Sequence, residues 1–306
     1  MKPIRAAAVQ WAPEILDLAR GLDKAAAAVD EAARDGAELV VFPETWLLGY
    51  PYWASLSVGD PRFHAVSGLL REQAPTRDGE AIERLKRIAQ DAKVTLVMGL
   101  HEREGGTIYN AMAVMGPDGD SLALHRKLVP TTTEKLVWGQ GDGSDMEAVA
   151  TPFGPLVGLI CFEHQMTLAR FALGSQRPVV HASLWPGHAF LDPVIDASTR
   201  QLGFENNCFV VIAREVMSAD RLRAHLPDFG DEPGRWAAHG GSAIAGPNGR
   251  YVAEPVFDRE TIIHAELDPR AIDAAQCWYD GMGHYARPDV FRLKWDRARK
   301  SPVETG

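Results

Sequence analysis

Three reactive residue types stand where apolar runs of this chain stop. Glu44 follows ELVVFP, Lys127 follows SLALHR and Cys161 follows LVGLI. Each run has the make-up of a buried strand, and in helix-covered sheets the strand ends are where side chains from separate strands converge. A thiol, a carboxylate and an ammonium are the minimum set for covalent catalysis at a carbon–nitrogen bond. The thiol attacks, the carboxylate takes its proton, and the ammonium stabilises negative charge forming on the substrate. Cysteine suits the task because its thiolate is a strong nucleophile within reach of neutral pH. Standing alone, such a cysteine reads as a packing residue, since free cysteine is among the most buried types. Glu44 and Lys127 would each cost several kcal/mol if buried without a partner, so the two are expected to pair.

The elements that must hold these residues alternate along the chain. Strand-like runs at 4–11, 37–42 and 94–100 are separated by helical patterns at 18–35 and 81–93. Runs at 107–115 and 121–127 flank Gly116-Pro117-Asp118-Gly119, a hairpin signal. The run 155–161 is expected to be a strand followed by a helix over 163–174. Strands at 178–184 and 208–214 bracket a helix at 193–206. GGSAIAG and RYVAEPV flank a second hairpin turn, Pro247-Asn248-Gly249. The strand at 261–267 leads into a short helix with Asp268 at its cap and Pro269 in its first turn. About ten strands and five or six helices, with both βαβ and hairpin links, point to an α/β chain with mixed sheets covered by helices. Segments 50–72 and 218–240 take no assignment; loops that long are usually functional or at interfaces.

The 306 residues carry no fixed-period repeat and no Ser/Gly linker, so one domain is expected. A net charge of −9 disfavours nucleic acid or an anionic membrane as partner. No apolar run reaches the roughly 18 residues of a membrane span, and the N-terminus lacks the apolar core of a secretory signal. Three scattered cysteines argue for a reducing, cytoplasmic setting and against a disulfide framework or a zinc cluster.

VFPET around Glu44, HRKLVPT around Lys127 and GLICFEH around Cys161 resemble the three signature blocks of the nitrilase superfamily. LLGYPYW (47–53), TEKLVWGQGDGSD (133–145), HASLWPG (181–187) and DGMGHYARPDV (280–290) resemble the nitrilase branch within it. The resemblance runs in order from residue 4 to about 291. It implies a four-layer αββα sandwich over 1–291, a short tail at 292–306, no metal and no organic cofactor. Carried over by position, Cys161 is the nucleophile, Glu44 the general base, Lys127 the electrostatic clamp and Glu134 an added glutamate that positions the site. The implied reaction takes an organic nitrile to carboxylic acid and ammonia through a thioimidate and a thioester, with some amide as by-product. An amidase, a carbamoylase or an amide-forming hydratase would use the same triad. A catalytically silent binding or assembly member is the remaining alternative. The family implies a homo-oligomer, a dimer or higher with spirals included, and QMTLARFALG (165–174) is the expected pairing face.

The chain departs from the family at Phe162, where nitrilases commonly carry Trp. Tyr52, Trp53, Phe162, Trp185 and His188 are the candidates for lining an apolar substrate pocket, with Trp138 near them. His164 tempts a Cys–His reading, but its place at a helix start is read as a surface or interface histidine. Glu163 is either an acid supporting the site or a helix-start charge favoured by the macrodipole. TTTEKL leaves Glu134 open to a reading as a solvated helix start. Cys208 and Cys277 are read as packing residues.

Overall fold

The computed structural model describes residues 2–229 and 233–301. The first half of the chain builds one sheet. Strand β1 (Ile4–Gln10) leads through helix α1 (Leu18–Arg34) to β2 (Leu39–Val41). Helices α2 (Pro61–Gln73) and α3 (Glu80–Ala92) precede β3 (Thr95–Glu104), β4 (Thr107–Met115) and β5 (Ser121–Arg126). Helix α1 forms because alanines and valine fall at helical spacing: Ala25, Ala28, Val29 and Ala32 are buried, and Asp17 caps the start by accepting the Arg20 N–H. In α3, Ile82, Leu85, Ile88 and Ala89 do the same. Both helices pack on one face of the sheet, against Val40, Leu96 and Met98.

The second half builds the other sheet. Strands β6 (Val149–Thr151) and β7 (Gly154–Ile160), helix α4 (Thr167–Gly174) and β8 (Val180–Trp185) come first. Helix α5 (Asp192–Asn206), β9 (Phe209–Arg214), β10 (Val216–Met217) and α6 (Ala219–His225) follow. Strands β11 (Ala238–Ala245), β12 (Tyr251–Phe257) and β13 (Thr261–Leu267) and helix α7 (Arg270–Trp278) end the series.

Strand order is β13-β1-β2-β3-β4-β5 in the first sheet and β10-β11-β9-β8-β7-β6 in the second, with β12 also on β11. β1, β2 and β3 are parallel, as are β7, β8 and β9, while the outer pairs run antiparallel. The sheets face one another, β1 against β9 and β11, and one apolar cluster takes side chains from both: Ala6, Ala8, Val41 and Val114 from the first, Leu156, Ile160, Val211 and Ile244 from the second. Outside the second sheet, Ala169, Ala172 and Leu173 of α4 cover Val157 and Leu159. This is the expected αββα sandwich.

The structure adds to the sequence expectation in three places. The helix expected over 163–174 is split into a 3-10 turn, Cys161–Gln165, and α4, because Met166 between them is extended. The segment 50–72 holds a 3-10 turn at Tyr52–Ser55 and most of α2, which has an Asp60 cap and Pro61 in its first turn. The segment 218–240 holds α6, capped by Ser218. Residues 230–232 of that segment and 302–306 of the tail lie outside the described residues. Of the tail that is described, Leu293 and Trp295 pack beside α4's cluster. Among the described residues no helix is long and apolar enough to cross a membrane.

Candidate active site

The parallel strands end on one side of the sandwich, and the turns that leave them carry the chemistry. Glu44 lies three residues past β2, in a turn where Thr45 and Leu48 adopt φ values of 47° and 88°. Such left-handed backbone is uncommon outside glycine and persists only where the surroundings enforce it. The turn lies so close to β3 that a Cβ at Gly99 would stand 1.9 Å from the Pro43 carbonyl oxygen, so glycine is required there. Cys161 follows β7 directly and has φ 53°. Lys127 follows β5, and its backbone N–H donates to the Asn110 carbonyl 2.8 Å away.

These residues meet in a buried cluster. The Lys127 ammonium donates to Glu44 Oε1 at 2.9 Å and to Glu134 Oε2 at 2.7 Å. Glu44, Glu134 and Cys161 place a carboxylate oxygen each and the sulfur within 4.8 Å of one another. All four residues are buried. Glu134 is therefore no solvated helix start. Its Oε2 also accepts the Thr131 N–H at 2.7 Å, and its Oε1 accepts the Tyr50 hydroxyl at 2.8 Å. Asn110 donates to Glu44 Oε1 at 2.7 Å, which leaves Glu44 Oε2 buried without a hydrogen-bond partner. Lys127 also lies 5.5 Å from the ring centre of Trp138, whose indole N–H donates to His101 Nδ1 at 3.0 Å.

Burial first, and then the sharing of one ammonium by two carboxylates, shift the titration of the cluster. Burial raises the Glu44 carboxyl to about 7; Lys127 opposes the rise and Glu134 adds to it. Burial, then the charge of Glu44, pushes the Cys161 thiol up, against the pull of Lys127. Burial alone would lower Lys127, but Cys161, Glu44 and Glu134 together hold it above its ordinary value. The resting site is a thiol beside a carboxyl poised near neutrality and a fixed ammonium. The ammonium stands between the two carboxylates, where a divalent ion held by Glu44, Glu134 and Cys161 would have to sit.

The turn at Cys161 has its own supports. Glu163 is buried, and its carboxylate accepts the Leu128 N–H at 2.7 Å, the Ile160 N–H at 2.8 Å and His125 Nε2 at 3.0 Å. It thus ties the residue after Lys127 to the residue before Cys161, as an acid that supports the site. Burial would raise Glu163 and lower His125, but their mutual attraction, helped at Glu163 by the Leu128 and Ile160 N–H groups, outweighs it, so each is shifted toward its charged form. The surface reading of His164 is corrected: the ring is fully buried, because Nδ1–H donates to the Cys161 carbonyl at 2.7 Å. Its Nε2 then accepts from Ser183 at 2.8 Å and faces His181 at 3.2 Å. Burial lowers His164 to about 4, so it works as a neutral brace.

The aromatic candidates divide. Tyr52 and His188 lie with Tyr50 and Trp138 around the charge cluster, at ring separations of 5.3 to 6.3 Å. Trp185 stacks on His164 at 4.8 Å and donates to Ser183, so it braces the turn at Cys161. Phe162 is half-buried against Trp185 at 6.3 Å. Trp53 is fully buried among Phe63, Val66 and Leu70. Cys208 is buried as expected, whereas Cys277 is exposed on α7 and does no packing. Sequence reasoning missed Tyr50, His101, Asn110 and His125. Asn110 carried a signal, a lone amide inside the apolar strand TIYNAMAVM. Tyr50 and His125 carried none beyond their blocks, LLGYPYW and HRKLVPT, and His101 carried none at all.

Comparison with known proteins agrees with this geometry. A family model described as carbon-nitrogen hydrolase matches residues 5–276. An aliphatic nitrilase of Rhodococcus rhodochrous is 36% identical over 98% of this chain and 85% of its own length. An aliphatic nitrilase of Sinorhizobium fredii (strain HH103) is 36% identical over 100% of this chain and 99% of its own. The crystal structure of a carbon-nitrogen hydrolase from Helicobacter pylori G27 superposes with a TM-score of 0.75 at 19% identity, covering 94% of this chain and 96% of that one, and it speaks for the fold alone.

Proposed function

This chain belongs to the carbon–nitrogen hydrolase family as a nitrilase, and from that premise we propose how it takes an organic nitrile to carboxylic acid and ammonia. As the nitrile enters, the Cys161 thiol gives its proton to Glu44 Oε2, the oxygen that has no other partner. Sulfur bonds to the nitrile carbon while Lys127 stabilises the charge growing on nitrogen, and protonation of that nitrogen leaves a thioimidate. Glu44 then activates a water that adds to the carbon. Ammonia leaves from the tetrahedral adduct, a second water cleaves the thioester, and the thiol is restored. Two waters are consumed per nitrile. Expulsion of sulfur before ammonia would release amide as by-product.

One observation carries this reading: a single buried ammonium 2.7 and 2.9 Å from two carboxylates, with the sulfur of Cys161 beside both. A carboxyl near 7 is matched to general-base work at neutral pH. Tyr52 and His188 line the pocket in this proposal, and Phe162, Trp53 and Trp185 shape it from behind. The aliphatic nitrilases among the relatives support aliphatic nitriles as the substrate class. Residues 1–291 act as one catalytic unit, supported by the apolar cluster common to both sheets. Homo-oligomerisation through α4 is part of the proposal, supported by its exposed Leu168 and Phe171. A reducing cytoplasm is supported by three free cysteines.

The test is turnover on aliphatic, arylacetic and aromatic nitriles and their amides, with ammonia, acid and amide measured separately, in the wild type and Cys161→Ala. Acid from nitriles in the wild type and none in the variant is the expected result. Turnover of amides alone, or substantial turnover by Cys161→Ala, would overturn the reading.

A further inference from the structure

Some of the buried polar atoms without a hydrogen-bond partner lie at the catalytic end of the sandwich. They include Glu44 Oε2, Thr45 Oγ1, Asn110 Oδ1, Trp53 Nε1 and Glu215 Oε2. Orphaned polar atoms in native interiors mark places that water or a ligand completes. The proposed mechanism accounts for Glu44 Oε2 and gives no task to Glu215, which is fully buried.

Glu215 sits where a substrate's far end would lie. It follows β9 as Cys161 follows β7, with β8 between them. The register sets Ile160 level with Leu184 and Leu184 level with Ala213, so Glu215 stands one residue beyond the level of Cys161. Two strand spacings separate the residues, about 10 Å across the sheet edge. Glu215 Oε1 accepts the Tyr52 hydroxyl. The Tyr52 ring meets Tyr50 edge-on at 5.6 Å, and Tyr50 in turn binds Glu134. Glu215 therefore belongs to the same cluster as the charges, on its opposite wall. Its carboxyl is raised to about 8, by burial above all, with Tyr52 opposing and the charge of Glu44 adding to it. As a mere buttress for Tyr52 it would need one oxygen only, and burying the other unmet would destabilise the fold.

We infer that Glu215, held by Tyr52, is the polar end of the substrate site and takes a hydroxyl group carried by the nitrile at the end remote from its C≡N carbon. A hydroxyl both donates and accepts, so it satisfies the free oxygen of a carboxyl in either protonation state. An ammonium would need the ionised form, and an ether the protonated one. The inference rests on the nitrilase reading and adds a substrate class to it.

The test compares ω-hydroxynitriles with alkyl nitriles of equal heavy-atom count, as the ratio of their kcat/KM values. The wild type is expected to favour the hydroxynitrile by roughly tenfold or more. Glu215→Leu should abolish that preference, and Glu215→Gln, which still donates and accepts, should keep most of it. If Glu215→Leu does not melt cooperatively, Glu215→Met takes its place. A ratio unchanged in the apolar variant, or no preference in the wild type, overturns the proposal. Calorimetry on the intact Cys161→Ala chain with ω-hydroxy amides and alkyl amides separates this from the chemistry. Should no nitrile be turned over, the nitrilase reading fails, while tighter binding of the hydroxy amide that vanishes on adding Glu215→Leu still supports the subsite. Equal binding of the two amides overturns it.

Discussion

Arg126 and Lys127 are neighbours in the chain and serve opposite ends. Arg126 turns outward: its guanidinium donates to Glu102 at 2.6 and 2.8 Å and to Glu104 at 2.9 Å, and lies 3.9 Å over the Tyr109 ring. It lines a groove of about 630 Å³ together with Arg77, Asp142, Asp145, Arg299 and Lys300. Arg77 meets Glu102 and Asp145, Arg299 meets Glu104, and the Lys300 N–H meets Asp142. Lys127 turns inward to a cluster of the same residue types with opposite arithmetic. There one ammonium serves two buried carboxylates, and one of their oxygens is left over. In the outer cluster each of these charges meets an opposite one or a hydrogen-bond partner. The inner one holds a carboxyl near 7 and a thiol, burial being the chief cause, and its unpartnered oxygen is what a transferred proton would fill.

The largest effect should come from replacing the two neighbours in turn. Lys127→Met is expected to lower kcat by about a thousandfold, the range for removing one preorganised charge-stabilising donor. Arg126→Met should leave kcat within about twofold and lower stability by about 2 kcal/mol, since it strips the main partner from buried Glu102. Steady-state kinetics with thermal melts reads both. A large kcat loss in Arg126→Met would break the contrast between the clusters.

A middle-sized effect concerns the acid limb of the pH profile. The proposed base, Glu44, would work when ionised and its carboxyl stands at about 7, so kcat/KM should fall as pH drops below that value. The limb belongs to the coupled cluster as a whole. Burial is the chief cause of the raised value, but the charge of Glu134 adds to it. Glu134→Gln should therefore shift the limb to lower pH while kcat falls by roughly ten- to a hundredfold, through the lost grip on Lys127. A limb that moves upward would contradict the charge assignment.

The smallest effect is expected at the groove's rim. Arg299→Ala, which removes an exposed ion pair with Glu104, should change stability by less than about 0.5 kcal/mol and leave turnover unaltered.

Much of the site was legible because its residues break a rule at a place that matters. Glu44, Lys127 and Cys161 each interrupt an apolar strand run at its end, and parallel strands put those ends together. Glu215 stands at the same kind of place, directly after the strand expected over 208–214, and no motif around it marked it. It is buried. His164 was misread for a different reason. A helix start was expected at 163, whereas a 3-10 turn with a left-handed Cys161 curls the imidazole back under the cysteine carbonyl. That turn depends on Glu163 reaching Leu128, thirty-five residues away, and such a contact leaves no local trace. Helix α2 was missed because its Asp60-Pro61 start lies in an aromatic loop and only Phe63, Val66 and Leu70 mark its buried face.

The central claim is that Cys161 forms a covalent bond to the nitrile carbon. Intact-mass and peptide-mapping spectrometry of the wild-type chain, quenched with acid within one turnover of an aliphatic nitrile, tests it most directly. The thioimidate predicts an adduct equal to the whole mass of the nitrile and the thioester one about 1 Da heavier, after gain of water and loss of ammonia, both on the Cys161 peptide and absent from Cys161→Ala. Acid formed with no adduct at Cys161, or an adduct on Cys208 or Cys277 in its place, would contradict the account.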